Sequence, residues 1–194
     1  MNLEFFRLIN DLANKNTFID KIMIFFSKDM PYIFMAVTAI IFILGMINNK
    51  IEYRKVALNT IVLTSINLVI SFIVGSIYYV DRPFVHNKVN LLFRHTSDAS
   101  FPSDHATGTM SIALGLKNYS KLLSVILTIL SVIVGFSRVY VGHHYPLDII
   151  GAYIIVFITN YIYNIKLRDM IGSLYERIEN KILVKFKSKK LYNN

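Results

Sequence analysis

The chain contains no cysteine, which excludes disulfides and thiolate metal sites. It also lacks an internal repeat, a low-complexity linker and any nucleic-acid recognition motif, so its +9 net charge needs another explanation. Residues 1–15 carry Glu4, Arg7 and Asp11 among their apolar positions, and no continuous hydrophobic stretch of a cleavable signal peptide is visible there. Charge is missing from one more place. The middles of the long apolar runs hold only uncharged polar residues such as Thr64, Ser65, Asn67 and Ser131. A transporter or channel would expect ionisable groups near the midplane of several spans.

What is present is apolar surface. Apolar residues make up 54% of the 194 positions, and the mean hydropathy is +0.48. Crossing a hydrocarbon core of ~30 Å takes about 20 mostly apolar residues. The runs Pro31 to Ile47, Val56 to Val80, Leu122 to Val141 and Leu147 to Ile165 meet that length. A fifth run, Ala106 to Leu116, is short and rich in small residues. It lies between two spanning segments, so the chain must return across the bilayer there. Thr107, Ser111 and Gly115 recur every four positions on one face of it, a stripe that lets helix backbones approach closely.

The expectation is an all-α, polytopic membrane helix bundle with about five spanning helices. Residues 1–165 would form the integral-membrane domain. Leu3, Phe6, Ile9 and Asn10 approximate one helical face, which predicts an interfacial helix at the N-terminal end. Residues 166–194 would form a basic amphipathic tail, with Leu167, Met170, Ile171, Leu174, Ile178 and Ile182 on one stripe. Such a helix can rest on anionic lipid, or be a frayed solvated tail.

Basic residues set the orientation. With the N-terminal end outside, the inner segments are 48–55, 117–121 and 166–194. They hold thirteen Lys/Arg against four Asp/Glu; the remainder of the chain holds eight of each. The whole net charge therefore falls on one side, the predicted cytoplasmic face. That accounts for the charge through topology, without nucleic acid as a partner.

Three polar clusters fall on the opposite side: Asp81-Arg82-Pro83, Phe101-Pro102-Ser103-Asp104-His105, and Ser137-Arg138 followed by His144 and Asp148. Two histidines, two arginines, a serine and a carboxylate suit the chemistry of holding a phosphate dianion, attacking its phosphorus and protonating the leaving oxygen. Pro146 fits the first turn of a helix, which lets the Asp148 carboxylate reach back toward His144. A carboxylate on one ring nitrogen fixes the tautomer and frees the other nitrogen to attack. The plainer possibility is a capping Asp beside a surface His. His143 is the neighbouring candidate, with a spacing to Asp148 one residue longer.

Arg138 and Arg82 sit near the outer ends of their spans. They could snorkel to the headgroups, or present planar forks to phosphate oxygens. Ser103 stands at the start of the short helix, where unpaired N–H groups form an anion cradle. It can cap that helix or donate to an anion. His105 could be a satisfied interfacial histidine or a general acid.

The order Arg-Pro, Pro-Ser-x-His and Ser-Arg-x5-His-x3-Asp over residues 75–151 resembles the type 2 phosphatidic acid phosphatase superfamily of membrane lipid phosphatases, which shares its site with vanadium haloperoxidases. The resemblance implies His144 as nucleophile forming a phosphohistidine, Asp148 orienting it, and His105 as the acid. Arg82, Ser103 and Arg138 would bind phosphate without any metal or other cofactor. Two positions depart from the family pattern. Gly75 stands where the family has a lysine, whose phosphate contact Lys88 or Arg94 would have to supply. Asp104 stands where the family usually has glycine, where it could pair with an arginine or tune His105. Both departures, with the stretches Arg82 to Val85 and Asp98 to His105, resemble the bacitracin-resistance branch, the undecaprenyl-diphosphatases of the bacterial cell membrane. The expected substrate is a polyprenyl diphosphate or related phospholipid. The runners-up are phosphatidylglycerophosphate or phosphatidate phosphatase, with transport a remote alternative. Oligomeric state is not legible.

Overall fold

A computed structural model describes residues 2–192, with side chains through Ile182; residues 193 and 194 of the predicted tail lie outside the described residues. All secondary structure among the described residues is helical. Four helices are long and apolar enough to cross a membrane: α3 (Met30–Ile47), α4 (Ile51–Ile77), α7 (Lys121–Tyr140) and α8 (Pro146–Lys166). They coincide with the four long apolar runs of the sequence. Pro31 opens α3 and Pro146 opens α8, positions where the missing N–H costs nothing. Asn49 has a positive φ of 50° and turns the chain from α3 into α4, a conformation that asparagine tolerates.

The predicted fifth span is helix α6 (Asp104–Gly115), followed by a 3-10 turn at Leu116–Asn118. At 1.5 Å per residue, α6 is only ~18 Å long. It packs against α3, α4, α7 and α8 and is buried almost all round. Being walled in by the spanning helices, it needs no lipid-facing apolar surface, and this explains its small and hydroxylic residues. Its stripe works as expected. Asn67 of α4 donates to Ser111 Oγ at 2.8 Å, and Thr60 lies 2.8 Å from where a Cβ on Gly115 would stand. On another face, Thr109 shares a 2.8 Å hydrogen bond with Ser131 of α7.

The N-terminal end forms α1 (Asn2–Asn10), then α2 (Thr17–Lys28), capped by Asn16 Oδ1 at 2.9 Å from Phe18 N. The predicted face of α1 is the one turned inward: Leu3 and Ile9 pack beside Phe6 and Asn10. Phe6 and Asn10 are buried against the end of α7 and the start of α8, while Phe5 and Leu8, off that face, are exposed. Helix α2 is legible only in retrospect, because Asp20, Lys21 and Lys28 interrupt its apolar pattern. It packs on α7.

At the opposite end lies α9 (Arg168–Tyr192). It is not a loose tail. Glu179 meets the buried Arg54 of α4 at 2.6 Å, and Glu176 meets Lys55 at 3.0 Å. Met170, Leu174, Ile178 and Ile182 remain exposed on α9.

Candidate active site

All three polar clusters meet at one end of the bundle. Short helix α5 (Pro83–His86) follows Arg82, and the loop 87–103 returns the chain to α6. Helix α7 ends at Tyr140, and the turn 141–145 carries His144 into α8. Gly142 makes that turn with φ of +91°; a Cβ there would stand 3.0 Å from Asn90 O. Asn10 of α1 clips the same region, donating to Asn90 O and to Tyr140 O, each at 2.9 Å.

His144 is 1% exposed, and both ring nitrogens are engaged. Nδ1 lies 2.8 Å from Ser100 O, which fixes it as the N–H donor. Asp148 Oδ2 is farther, at 3.5 Å. The nearest partners of that carboxylate oxygen are Ser100 Oγ at 2.5 Å and the Tyr145 N–H at 2.8 Å. Asp148 is therefore a helix cap and a support of the histidine at once. The sequence treated those roles as alternatives. Ser100, which carries both the carbonyl and the hydroxyl, went unrecognised. Burial, then the charges of Arg138 and Arg82, push His144 well below the ordinary 6.5, so the ring is neutral. Its contact with Asp148 is thus no salt bridge.

Nε2 of His144 faces Arg82 Nη1 at 2.9 Å. Arg82 is buried and also donates to His143 O at 3.1 Å and, through Nε, to Asp98 Oδ1 at 2.8 Å. Burial alone would raise the Asp98 carboxyl, but Arg82 holds it below the usual range. Arg138 is likewise buried, not snorkelling. Its Nη1 donates to Ser27 Oγ of α2 at 3.0 Å, whereas Nε and Nη2 have no partner.

Ser103 occupies the N-cap of α6 without capping it: its hydroxyl makes no bond to the helix. Ser103 Oγ is buried and unpartnered, as is Thr107 Oγ1 one turn on. Leaving a buried donor unmade costs about 1–3 kcal/mol. Two arginine donors and two hydroxyls in that condition, beside a helix N-terminus, are the makings of an anion cradle.

The remaining candidates divide. The ring of His105 makes no hydrogen bond among the described residues, and it is half-buried. Asp104 turns toward α4, accepting from Ser71 Oγ at 2.7 Å, and pairs with no arginine. His143 is buried among aromatic rings, 4.4 Å from Phe93 and 4.6 Å from His95, and donates from Nε2 to Phe93 O at 2.9 Å. Its Nδ1 is buried without a partner, and among the described residues no carboxylate backs the ring as Asp148 backs His144. Lys88 and Arg94 are exposed, and the structure does not bring them to His144. At Gly75 the family lysine would be crowded, its Cβ standing 3.0 Å from Phe101 O.

Beside His105, an apolar cleft of about 240 Å³ is lined by Tyr32, Met35, Leu68 and Gly108. It adjoins one of about 400 Å³ between α3 and α4, and the two share Met35, Thr64, Leu68 and Ile112. Together they make an apolar groove leading away from the histidine.

Among known proteins, the model of the PAP2 superfamily matches residues 56–169. The chain is 34% identical to "Undecaprenyl-diphosphatase BcrC" of Bacillus subtilis, covering 95% of this chain and 97% of that one. It is 28% identical to "Bacitracin transport permease protein BcrC" of Bacillus licheniformis, over 94% and 91% of the two chains. The crystal structure of Aquifex aeolicus LpxE superposes with a TM-score of 0.68 at 26% identity, covering 83% of this chain and 93% of LpxE.

Proposed function

Because this chain belongs to the PAP2 superfamily, we propose that it is a membrane lipid phosphatase hydrolysing undecaprenyl diphosphate to undecaprenyl phosphate and phosphate. The observation that carries the reading is the set of buried, unpartnered donors on Arg138 and Ser103 beside a neutral, buried His144. The choice of lipid rests on the 34% identity with a diphosphatase over nearly both whole chains.

The terminal phosphate enters the cradle of Arg138, Ser103 and the first N–H groups of α6. Its oxygens draw Arg82 off His144 Nε2, since an anion is a stronger acceptor for a guanidinium than an imidazole. The freed lone pair attacks phosphorus. Nδ1–H stays on Ser100 O, and Asp148, held by Ser100 and the Tyr145 N–H, steadies the positive ring of the phosphohistidine. With the phosphate anion bound beside it, His105 takes a proton from solvent and passes it to the leaving oxygen; the neutral ring then draws a proton from the water that releases phosphate and returns it to solvent. The groove past His105 takes the apolar chain of the leaving lipid.

Arginines carry the charge that a cation would otherwise carry. Activity in excess chelator should therefore equal activity without it; a rate restored only by Mg²⁺ or Mn²⁺ would overturn the scheme. The site is proposed to face outward, in a bacterial cell membrane, with residues 166–194 on the cytoplasmic side. The same cradle would serve a phosphatidylglycerophosphate or phosphatidate phosphatase. Transport, the activity in the name of the B. licheniformis relative, finds less support. The buried charged residues Arg54, Arg82, Arg138 and Asp148 lie at the two ends of the bundle. Phosphate release by purified protein from undecaprenyl diphosphate, phosphatidylglycerophosphate and phosphatidate is the test. The highest kcat/KM should fall on the diphosphate; a glycerolipid in first place would replace this reading.

A further inference from the structure

Three cationic or ionisable side chains of the outer loop could meet a substrate: Lys88, Arg94 and His95. The two permanent cations are exposed, and His95 is the one turned inward, with its side chain 19% exposed. Its ring lies edge-on to His143 at 4.6 Å, beside the residue that carries the attack. Asp98 Oδ1 stands 3.8 Å from His95 Nδ1 and accepts from Arg82 Nε at 2.8 Å. Arg82 in turn reaches His144 Nε2 at 2.9 Å. One carboxylate thus joins His95 to the arginine of the attacking centre.

A loop histidine satisfied by its own backbone is the ordinary explanation for such a residue. It accounts for one nitrogen only. Nδ1 lies 3.1 Å from Thr96 O, whereas Nε2 has no partner among the described residues. We propose that His95, backed by Asp98, binds the second phosphate of a diphosphate substrate and sets the preference for diphosphates over phosphate monoesters. This rests on the lipid-phosphatase reading above.

The chemistry requires something in that place. Arg138, Ser103, Arg82 and the α6 N-terminus suffice for one phosphate. In a diphosphate, the His144 Nε2–P bond forms as the bridging P–O bond breaks, and the bridging oxygen keeps the electron pair. Negative charge therefore builds on the second phosphate, where a monoester would develop an alkoxide. Burial, with the charges of Arg82 and Arg138, keeps His95 below its ordinary 6.5 and so neutral before substrate arrives. The second phosphate supplies the anion that lets the ring take a proton from solvent. Nδ1–H stays on Thr96 O with the Asp98 carboxylate 3.8 Å away to balance the charge, and Nε2–H faces phosphate, a charge-assisted pair.

The test compares wild type, His95→Ala and His95→Gln on undecaprenyl diphosphate and on phosphatidate in the same detergent, with thermal unfolding of each protein recorded. Expected is a fall in kcat/KM of roughly 10- to 100-fold on the diphosphate for His95→Ala. The monoester rate should change less than about 3-fold, and His95→Gln, which keeps one donor, should recover part of the loss. Equal losses on both substrates in a folded variant, or no loss on either, would overturn the role. Failure of the wild type to cleave any diphosphate would instead remove the substrate reading, and this inference with it.

Discussion

His144 and His105 differ in what holds them, and the difference predicts how their variants fail. His144 is pinned at both nitrogens, whereas the His105 ring makes no hydrogen bond among the described residues. His144→Ala should form neither phosphoenzyme nor product above background. His105→Ala keeps the nucleophile and should lose ~10²–10⁴-fold on lipid. With an activated phenyl phosphate, protonation matters little, so the His105 variant should recover much of its rate while the His144 variant stays dead. Parallel responses to leaving-group acidity, or an inactive His143→Ala, would undo the assignment. The buried histidines also set a pH limit on stability. Burial, then the Arg138 charge, push His143 down to about 2, and His144 is lowered as well. Below the unfolded value of 6.5 the unfolded chain takes protons that the folded protein refuses. Stability is then complete above pH 6.5 and is lost as pH falls, by ~1.4 kcal/mol per unit for each histidine. The unfolding midpoint in detergent should drop between pH 7 and 5, and His143→Asn should show a shallower slope.

Helix α1 packs through Phe6 and hydrogen-bonds the site through Asn10. Asn10 joins the loop 87–103 to the end of α7, so Asn10→Ala leaves the Tyr140 and Asn90 carbonyls unpaired. A cost of about 1–3 kcal/mol follows, seen as a lower unfolding midpoint together with lower kcat, since the His144 turn loses its clip. An unchanged kcat would mean that α1 is only a cover. The same element marks what a sequence can disclose. The four long spans and the three polar clusters were legible because apolar length and the motifs are local. Asp148 and His144 are four residues apart, and Pro146 announces the helix between them. Ser100, Asp98, His95 and Ser27 were not legible. Ser100 and Ser27 are single residues whose partners lie far along the chain, His144 at a separation of 44 and Arg138 at 111, while Asp98 and His95 sit in an irregular loop with no periodic pattern to place them. Helix α6, taken alone, reads as a buried core helix, and only its place between two spans made it count as a fifth one. Its burial comes from the helices around it.

At the scale of the whole molecule, charge and chemistry segregate to opposite ends, with Arg54 and Lys55 paired to α9 at one and the histidines at the other. The cysteine-free chain allows a direct test of orientation. Single cysteines placed at the exposed Ser97 and Asn48 should respectively react with, and be spared by, an impermeant thiol reagent on intact cells. The opposite result would put the site in the cytoplasm. The Asn10 clip also has a meaning in time. Asn10 leaves the ribosome 130 residues before Tyr140, whose carbonyl it holds. At ~5–20 residues per second, α1 waits roughly 6 to 26 s for its partner. In the proposed scheme the nascent chain therefore carries both arginines and His105 before it carries His144, and activity would begin only after the oldest helix has closed on the end of α7.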